Sequence, residues 1–258
     1  MRLAACPSGG GSGWSPAFLD WLAAHGLGVA GAAAGGFALT TGASQLQALP
    51  WGNLNTLRLR FSEPVAAGGL TAGSLTLTGV AVPTYTLPAA GFALDAGGLV
   101  ASWSLAAGSA AFGLDKLRLA LPAAAGVTDA AGNALDGEWV DGASAFPSGD
   151  GSPGGDFRLR LNVVPGDADR NGRVDAFDTL AVKAKQGSNA ATAPANYGPL
   201  HDYDGNGRID AFDTLGVKAK QGTNLNSLPG EPAAAMFSDA RIASTILKSD
   251  DELAALLA

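Results

Sequence analysis

Only one cysteine, Cys6, stands among 258 residues, so no disulfide can close within the chain and the fold must rest on an apolar core or on bound metal. Positive charge is also scarce. Sixteen Lys and Arg face 23 Asp and Glu, the net charge is −7, and the basic residues form no cluster. Phosphate binding needs clustered Lys and Arg, so a nucleic-acid or anionic-membrane partner is excluded. No stretch reaches the ~20 apolar residues of a membrane span. The two histidines, His25 and His201, lie far apart, and Glu63 and Glu138 sit in turn-like stretches, leaving neither a nucleophile with its base nor a carboxylate pair in a cleft. The chain is therefore read as non-catalytic.

Apolar side chains are not lacking: 47% of the residues are hydrophobic, enough for one large or two modest domains. Cys6 follows "LAA", which looks like the end of a lipoprotein signal, but a signal needs an apolar run of about 7 to 15 residues before cleavage and only five residues precede this cysteine. The expectation is a chain that begins inside a longer protein or whose start was set too far downstream. Residues 1–13, with "CPSGGGSG", read as a linker. In "SPAFLDWLAAHG", Ser15 is a helix N-cap, Pro16 the first helical residue and Gly26 the stop, with Phe18, Trp21, Leu22 and His25 at helical spacing.

From about residue 45 to 164 the period becomes two. Leu57, Leu59 and Phe61 alternate with Arg58 and Arg60, and "SLTLTGV", "LVASWSL", "KLRLAL" and "FRLRLNVV" continue the alternation between Gly, Pro and Asp clusters. Short alternating strands with one apolar face predict a mainly β fold, a β-sandwich of Ig-like type over 14–164 together with the short helix. The order "RLRFSEPV", "SLTLTGV", a Trp-bearing strand, "DKLRLALP" and "VTDAAGNALDGEW" resembles the bacterial Ig-like domains of surface-layer and large exported proteins. The resemblance implies structural turns, not chemistry, at Glu63, Asp129 and Asp136. Trp51, Trp103 and Trp139 are candidate core residues, or else a carbohydrate platform.

Beyond "VVPGD" the chain repeats itself, with "DADRNGRVDAFD" at 167–178 and "DYDGNGRIDAFD" at 202–213. Calcium takes six to eight oxygens, and a twelve-residue loop offers them from positions 1, 3, 5, 7, 9 and 12. In the first loop these are Asp167, Asp169, Asn171, the Arg173 carbonyl, Asp175 by way of water, and Asp178. The second loop supplies Asp202, Asp204, Asn206, the Arg208 carbonyl, Asp210 and Asp213. Gly172 and Gly207 fall at the sharp turn, and Val174 and Ile209 at position 8, where paired loops are expected to meet through a backbone bridge. The cofactor reading is two Ca²⁺.

Position 12 is Asp instead of Glu, and no amphipathic helix precedes the first loop. This duplicated loop and exit helix, half an EF-hand or F-hand in each copy, resembles the type I dockerin module and extends over 165–228. The resemblance implies a protein-protein interaction with a cohesin-like or cell-surface protein. It places the partner-reading positions at Ala176, Phe177, Lys183 and Ala184, and at Ala211, Phe212, Lys218 and Ala219. The Ala and Phe pairs depart from the small polar residues of many cellulosomal modules. By spacing alone, Phe177 and Phe212 fall on apolar stripes with Leu180 and Leu215, and the plain reading of a stripe is core packing. His201 reads as a surface residue. Residues 229–258 form a tail in which Ser249 and Glu252 make a capping box before "LAALLA".

The whole reads as an extracellular or cell-surface assembly module. Two alternatives stay open: a calcium-stabilised stalk or cap with no dedicated partner, or the C-terminal part of a larger secreted polysaccharide-degrading enzyme.

Overall fold

The computed structural model describes residues 2–7, 13–28, 35–66, 68–192 and 195–231. Eight strands and three helices follow one another along them: β1 (Arg2–Cys6), α1 (Pro16–Ala24), β2 (Phe37–Ala38), β3 (Thr56–Arg60), β4 (Thr76–Gly79), β5 (Phe92–Leu94), β6 (Val100–Ser104), β7 (Asp115–Leu121), β8 (Phe157–Val163), α2 (Ala176–Ala184) and α3 (Ala211–Lys218). The fold is mainly β, and two of the helices lie in the duplicated segment.

The strands form two antiparallel sheets, ordered β2-β1-β3-β6-β5 and β4-β7-β8. Alternation decides which side chains turn inward. Leu57 and Leu59 of β3, Leu77 of β4, Leu117 and Leu119 of β7, and Leu159 and Leu161 of β8 are all buried in one cluster. Each fully buried Leu contributes roughly 1.5–3 kcal/mol relative to exposure. Trp51 and Trp103 are buried in the same core and Trp139 packs on Phe146 and Phe157, so Trp51 and Trp103 offer no platform to a sugar.

Residues 2 to 6 differ from the linker expected of them. They pair along their length with β3, from Arg2 opposite Arg60 to Cys6 opposite Thr56. Ala4, Ala5 and Cys6 are consecutive and all buried, so both faces of the strand are covered and no alternation marks it in the sequence. Burial pushes the Cys6 thiol up to about 11, which leaves it an inert core residue.

The helix at 16–24 forms as its signals predict: the Ser15 hydroxyl oxygen accepts from the Phe18 amide at 3.2 Å, and Gly26 ends it at φ +69°. Its buried residues, Phe18 and Leu22, do not face the sheets alone. Trp14 packs edge-on against Phe18 and Trp51, and Trp21 against Tyr197 of the duplicated segment. The buried core continues without a break into Val174, Val182, Ile209 and Val217 of that segment. At the far end, the Lys116 ammonium donates to the carbonyls of Leu228 (3.3 Å) and Gly230 (3.1 Å), and Arg160 pairs with Glu231, so residues 228–231 return to the second sheet. The capping box expected at Ser249 and Glu252 lies outside the described residues.

Candidate metal centres

Each twelve-residue loop curls around its own first and last carboxylates. In the first, Asp167 accepts from the amides of Asn171 (3.0 Å) and Gly172 (2.7 Å), and Asp178 from those of Ala168 (2.8 Å) and Asp175 (2.8 Å). The second loop repeats this. Asp202 accepts from Asn206 (3.1 Å) and Gly207 (2.8 Å), and Asp213 from Tyr203 (2.7 Å) and Asp210 (2.8 Å). Asp175 and Asp210 are the N-caps of α2 and α3, each bonded to the amide two residues on. The final Asp of each loop closes a capping box with that N-cap, so loop and helix fix each other.

The carboxylates converge. One oxygen from each of Asp167, Asp169 and Asp178 lies within 4.8 Å of the others, and the same holds for Asp202, Asp204 and Asp213. Asn171 and Asn206 stand beside them, their amide nitrogens donating to Asp169 and Asp204. Asp175 and Asp210 are outside the two triplets and occupied in capping. Arg173 and Arg208, whose carbonyls were expected to serve, sit at isolated β-bridges to Asn224 and Asn189.

Gathering like charges under cover is unfavourable, and the ionisation of the carboxyls shows it. Burial, with Asp169 and Asp178 nearby, pushes Asp167 up to about 7. Burial raises Asp202 to about 8 and Asp213 to about 6, with neighbouring carboxylates adding to both. An all-oxygen donor set of crowded carboxylates, two of each three buried, could hold a cation, and its hardness suits calcium or magnesium over a softer metal.

Four features escaped the sequence reading. Tyr197, between the repeats, donates its hydroxyl to Asp202. Position 4 of each loop takes positive φ, at Arg170 (+62°) and Gly205 (+70°); Gly in the second copy was the available signal. Val174 and Ile209 are both buried but do not bridge each other. Val174 exchanges backbone bonds with Gly222 and Thr223, and Ile209 with Gly187 and Ser188, so each loop pairs with the residues after the other repeat's helix. Lacking entry helices, the two halves close by this reciprocal exchange. His201, expected at the surface, is half-buried, and burial, with the nearby Lys185 charge, lowers it to about 4.

The stripe reading also fails for the aromatics. Phe177 is 71% and Phe212 75% exposed, and Leu180 and Leu215 are each 59% exposed. The inward face of each helix carries Asp178 and Val182, or Asp213 and Val217. Ala176, Lys183 and Ala184, with Ala211, Lys218 and Ala219, are exposed as well. All eight residues expected to read a partner thus lie on the surface.

No curated protein matches the chain. Among solved structures, the N-terminal part of the bacterial S-layer protein SbsC is similar over 43% of this chain and 21% of that one, at 10% identity and a TM-score of 0.28. The family model for the dockerin type I domain matches residues 165–221. With its two half-EF-hand loops and two exit helices in place, this segment of the chain is a type I dockerin module.

Proposed function

We propose that the chain is a calcium-dependent assembly module, in which a dockerin pair attaches an Ig-like β domain of an exported protein to a cohesin-like partner. The observation that carries this is the placement of Phe177 with Leu180 and Phe212 with Leu215. Among the described residues, six large apolar side chains are exposed, and these are four of them, at matching places on the two helices. Large apolar groups left in water at repeated positions support a docking role.

Calcium is the ion that the dockerin family implies, and the buried carboxylates supply the reason the module needs it. Asp167, Asp169, Asn171, Asp175, Asp178 and the Arg173 carbonyl would hold one ion, and Asp202, Asp204, Asn206, Asp210, Asp213 and the Arg208 carbonyl the other. Two divalent cations add four positive charges and take the formal net charge from −7 to −3. The ions relieve the repulsion within each loop, so binding energy becomes folding energy for the helices that follow.

The two antiparallel sheets around one core support the Ig-like reading of the β part, and dockerin modules occur in secreted or cell-surface proteins. Among the described residues no helix is long and apolar enough to cross a membrane. The stalk reading, with no dedicated partner, leaves the four exposed apolar side chains without a role. Surface plasmon resonance of the full chain over a panel of immobilised cohesin domains tests the proposal. Saturable binding in calcium that vanishes in EDTA is expected; no binding to any cohesin by the calcium-loaded chain would contradict it.

A further inference from the structure

The arc of the second loop around its second carboxylate is bonded, residue by residue, to the N-terminal part of the chain. The carbonyls of Tyr203, Asp204 and Gly205, at positions 2, 3 and 4, accept from the Gly52 amide (3.1 Å), the Asn53 side-chain amide (2.6 Å) and the Ser15 amide (2.9 Å). Trp14 completes the contact by donating its indole N–H to Asn53 Oδ1 at 3.1 Å. Its ring fills the space beside Gly205 so closely that a Cβ there would lie 2.0 Å from it. The first loop is held differently. Arg170 reaches out to the carbonyls of Ala48 (2.7 Å) and Gln47 (3.2 Å), a side-chain grip on the sheet domain in place of three bonds to the loop's own backbone.

Three of the five differences between residues 166–187 and 201–222 fall at this contact. Where the first copy has Ala168, Arg170 and Ala181, the second has Tyr203, Gly205 and Gly216. Tyr203 fits only because Gly52 and Gly216 lack side chains, since a Cβ at either would fall 2.2 or 2.6 Å from its ring. The exposed residues expected to face a partner are identical in the two copies.

We infer that Asn53, Ser15 and Gly52 are positioning residues for the ion of the second loop, and that calcium bound there in turn stabilises the docking of α1 and the 51–53 segment. The inference rests on the calcium reading given above. Tethering three successive carbonyls holds the arc from Tyr203 to Gly205, which carries Asp204, in shape before the ion arrives, and this removes part of the ordering cost of binding. Thermodynamic linkage then requires the reciprocal effect: whatever the N-terminal contact does for calcium, calcium does for the N-terminal contact.

The test uses the full chain, stripped of metal, in two measurements. Calorimetric titration with calcium compares wild type with Asn53→Ala, and hydrogen exchange follows residues 15–24, which contain no proposed ligand. Wild type is expected to bind two ions and to slow exchange in α1. Asn53→Ala should weaken one ion roughly fivefold, the worth of one net hydrogen bond, and leave the other unchanged. If Asn53→Ala does not fold by circular dichroism, Trp14→Phe, which keeps a ring and removes one donor, carries the comparison with a loss of about two- to threefold. Two ions bound with affinities indifferent to the variant, and exchange in α1 indifferent to calcium, would overturn the inference and leave the calcium reading standing. No calcium bound at all would overturn both.

Discussion

Gly205→Ala should cost far more than its size suggests, and the structure separates the reasons. Gly205 has φ +70°, which Ala adopts at a cost of about 1 kcal/mol. The new Cβ would also lie 2.0 Å from Trp14 Cδ1 and 2.4 Å from Nε1, well inside van der Waals contact. Trp14 has little room to yield, being 7% exposed and packed edge-on against Phe18 at 4.7 Å and Trp51 at 5.0 Å. Overpacking of this kind costs about 1–3 kcal/mol, and a displaced indole loses its bond to Asn53, about 1 kcal/mol more. The sum is about 3–5 kcal/mol. Gly222→Ala is the control, since φ is +89° there but nothing lies within 4 Å of the added Cβ, so about 1 kcal/mol is expected. Urea unfolding at saturating calcium, followed by tryptophan emission and far-ultraviolet circular dichroism, measures both. Equal losses for the two variants would refute the packing of Trp14 against the second loop.

Acidity should act on the metal-free and calcium-bound chains in opposite directions. Asp167, Asp202 and Asp213 hold protons more tightly folded than unfolded, so the metal-free chain loses stability as pH rises from about 4 toward 8; urea midpoints in EDTA should be higher at pH 5.5 than at pH 8. Calcium must displace those protons, so its affinity should fall from pH 8 to pH 6, with proton release seen as a buffer-dependent heat in calorimetry. Asp178→Ala should reduce the bound calcium from two ions to one and cost α2 about 1 kcal/mol through its lost capping box, read by ion stoichiometry and helical circular dichroism. If a cohesin partner docks on either helix face by a half-turn, Phe177→Ala or Phe212→Ala alone should lose only about twofold in affinity. The double variant should lose binding, because an aromatic anchor is worth roughly 2 kcal/mol or more. Both side chains are exposed, so circular dichroism should find every one of these variants folded.

The two carboxylate-lined loops were legible because the pattern is chemically constrained, with oxygen-bearing side chains at five positions, glycine at the turn and a second copy of the whole, and three of the carboxylates in each converge. Strand β1 was not, since three buried residues in succession erase the alternation that marks a strand. The helix faces were misread for want of an anchor that the sequence does contain. Asp178 must point into the loop, Val182 one turn on shares its side, and Leu180, about 200° around the helix, must then face out. The union of the dockerin with the β part was beyond sequence reasoning, because it depends on contacts such as Asn53 with Asp204, 151 residues apart. No local period marks such a contact. Two units with a boundary near 164 are what the change from alternating strands to a duplicated loop and helix suggests. The shared core and the bonded loop make calcium removal an event that α1 should feel as well.

Native mass spectrometry of the full chain, stripped with EDTA and returned to calcium, counts the ions that the two loops hold. The expected species carries two calcium ions, falling to one in Asp178→Ala and in Asp213→Ala, and to none when both are changed. A wild-type chain that stays metal-free at millimolar calcium, or that keeps both ions in the double variant, would contradict the calcium reading.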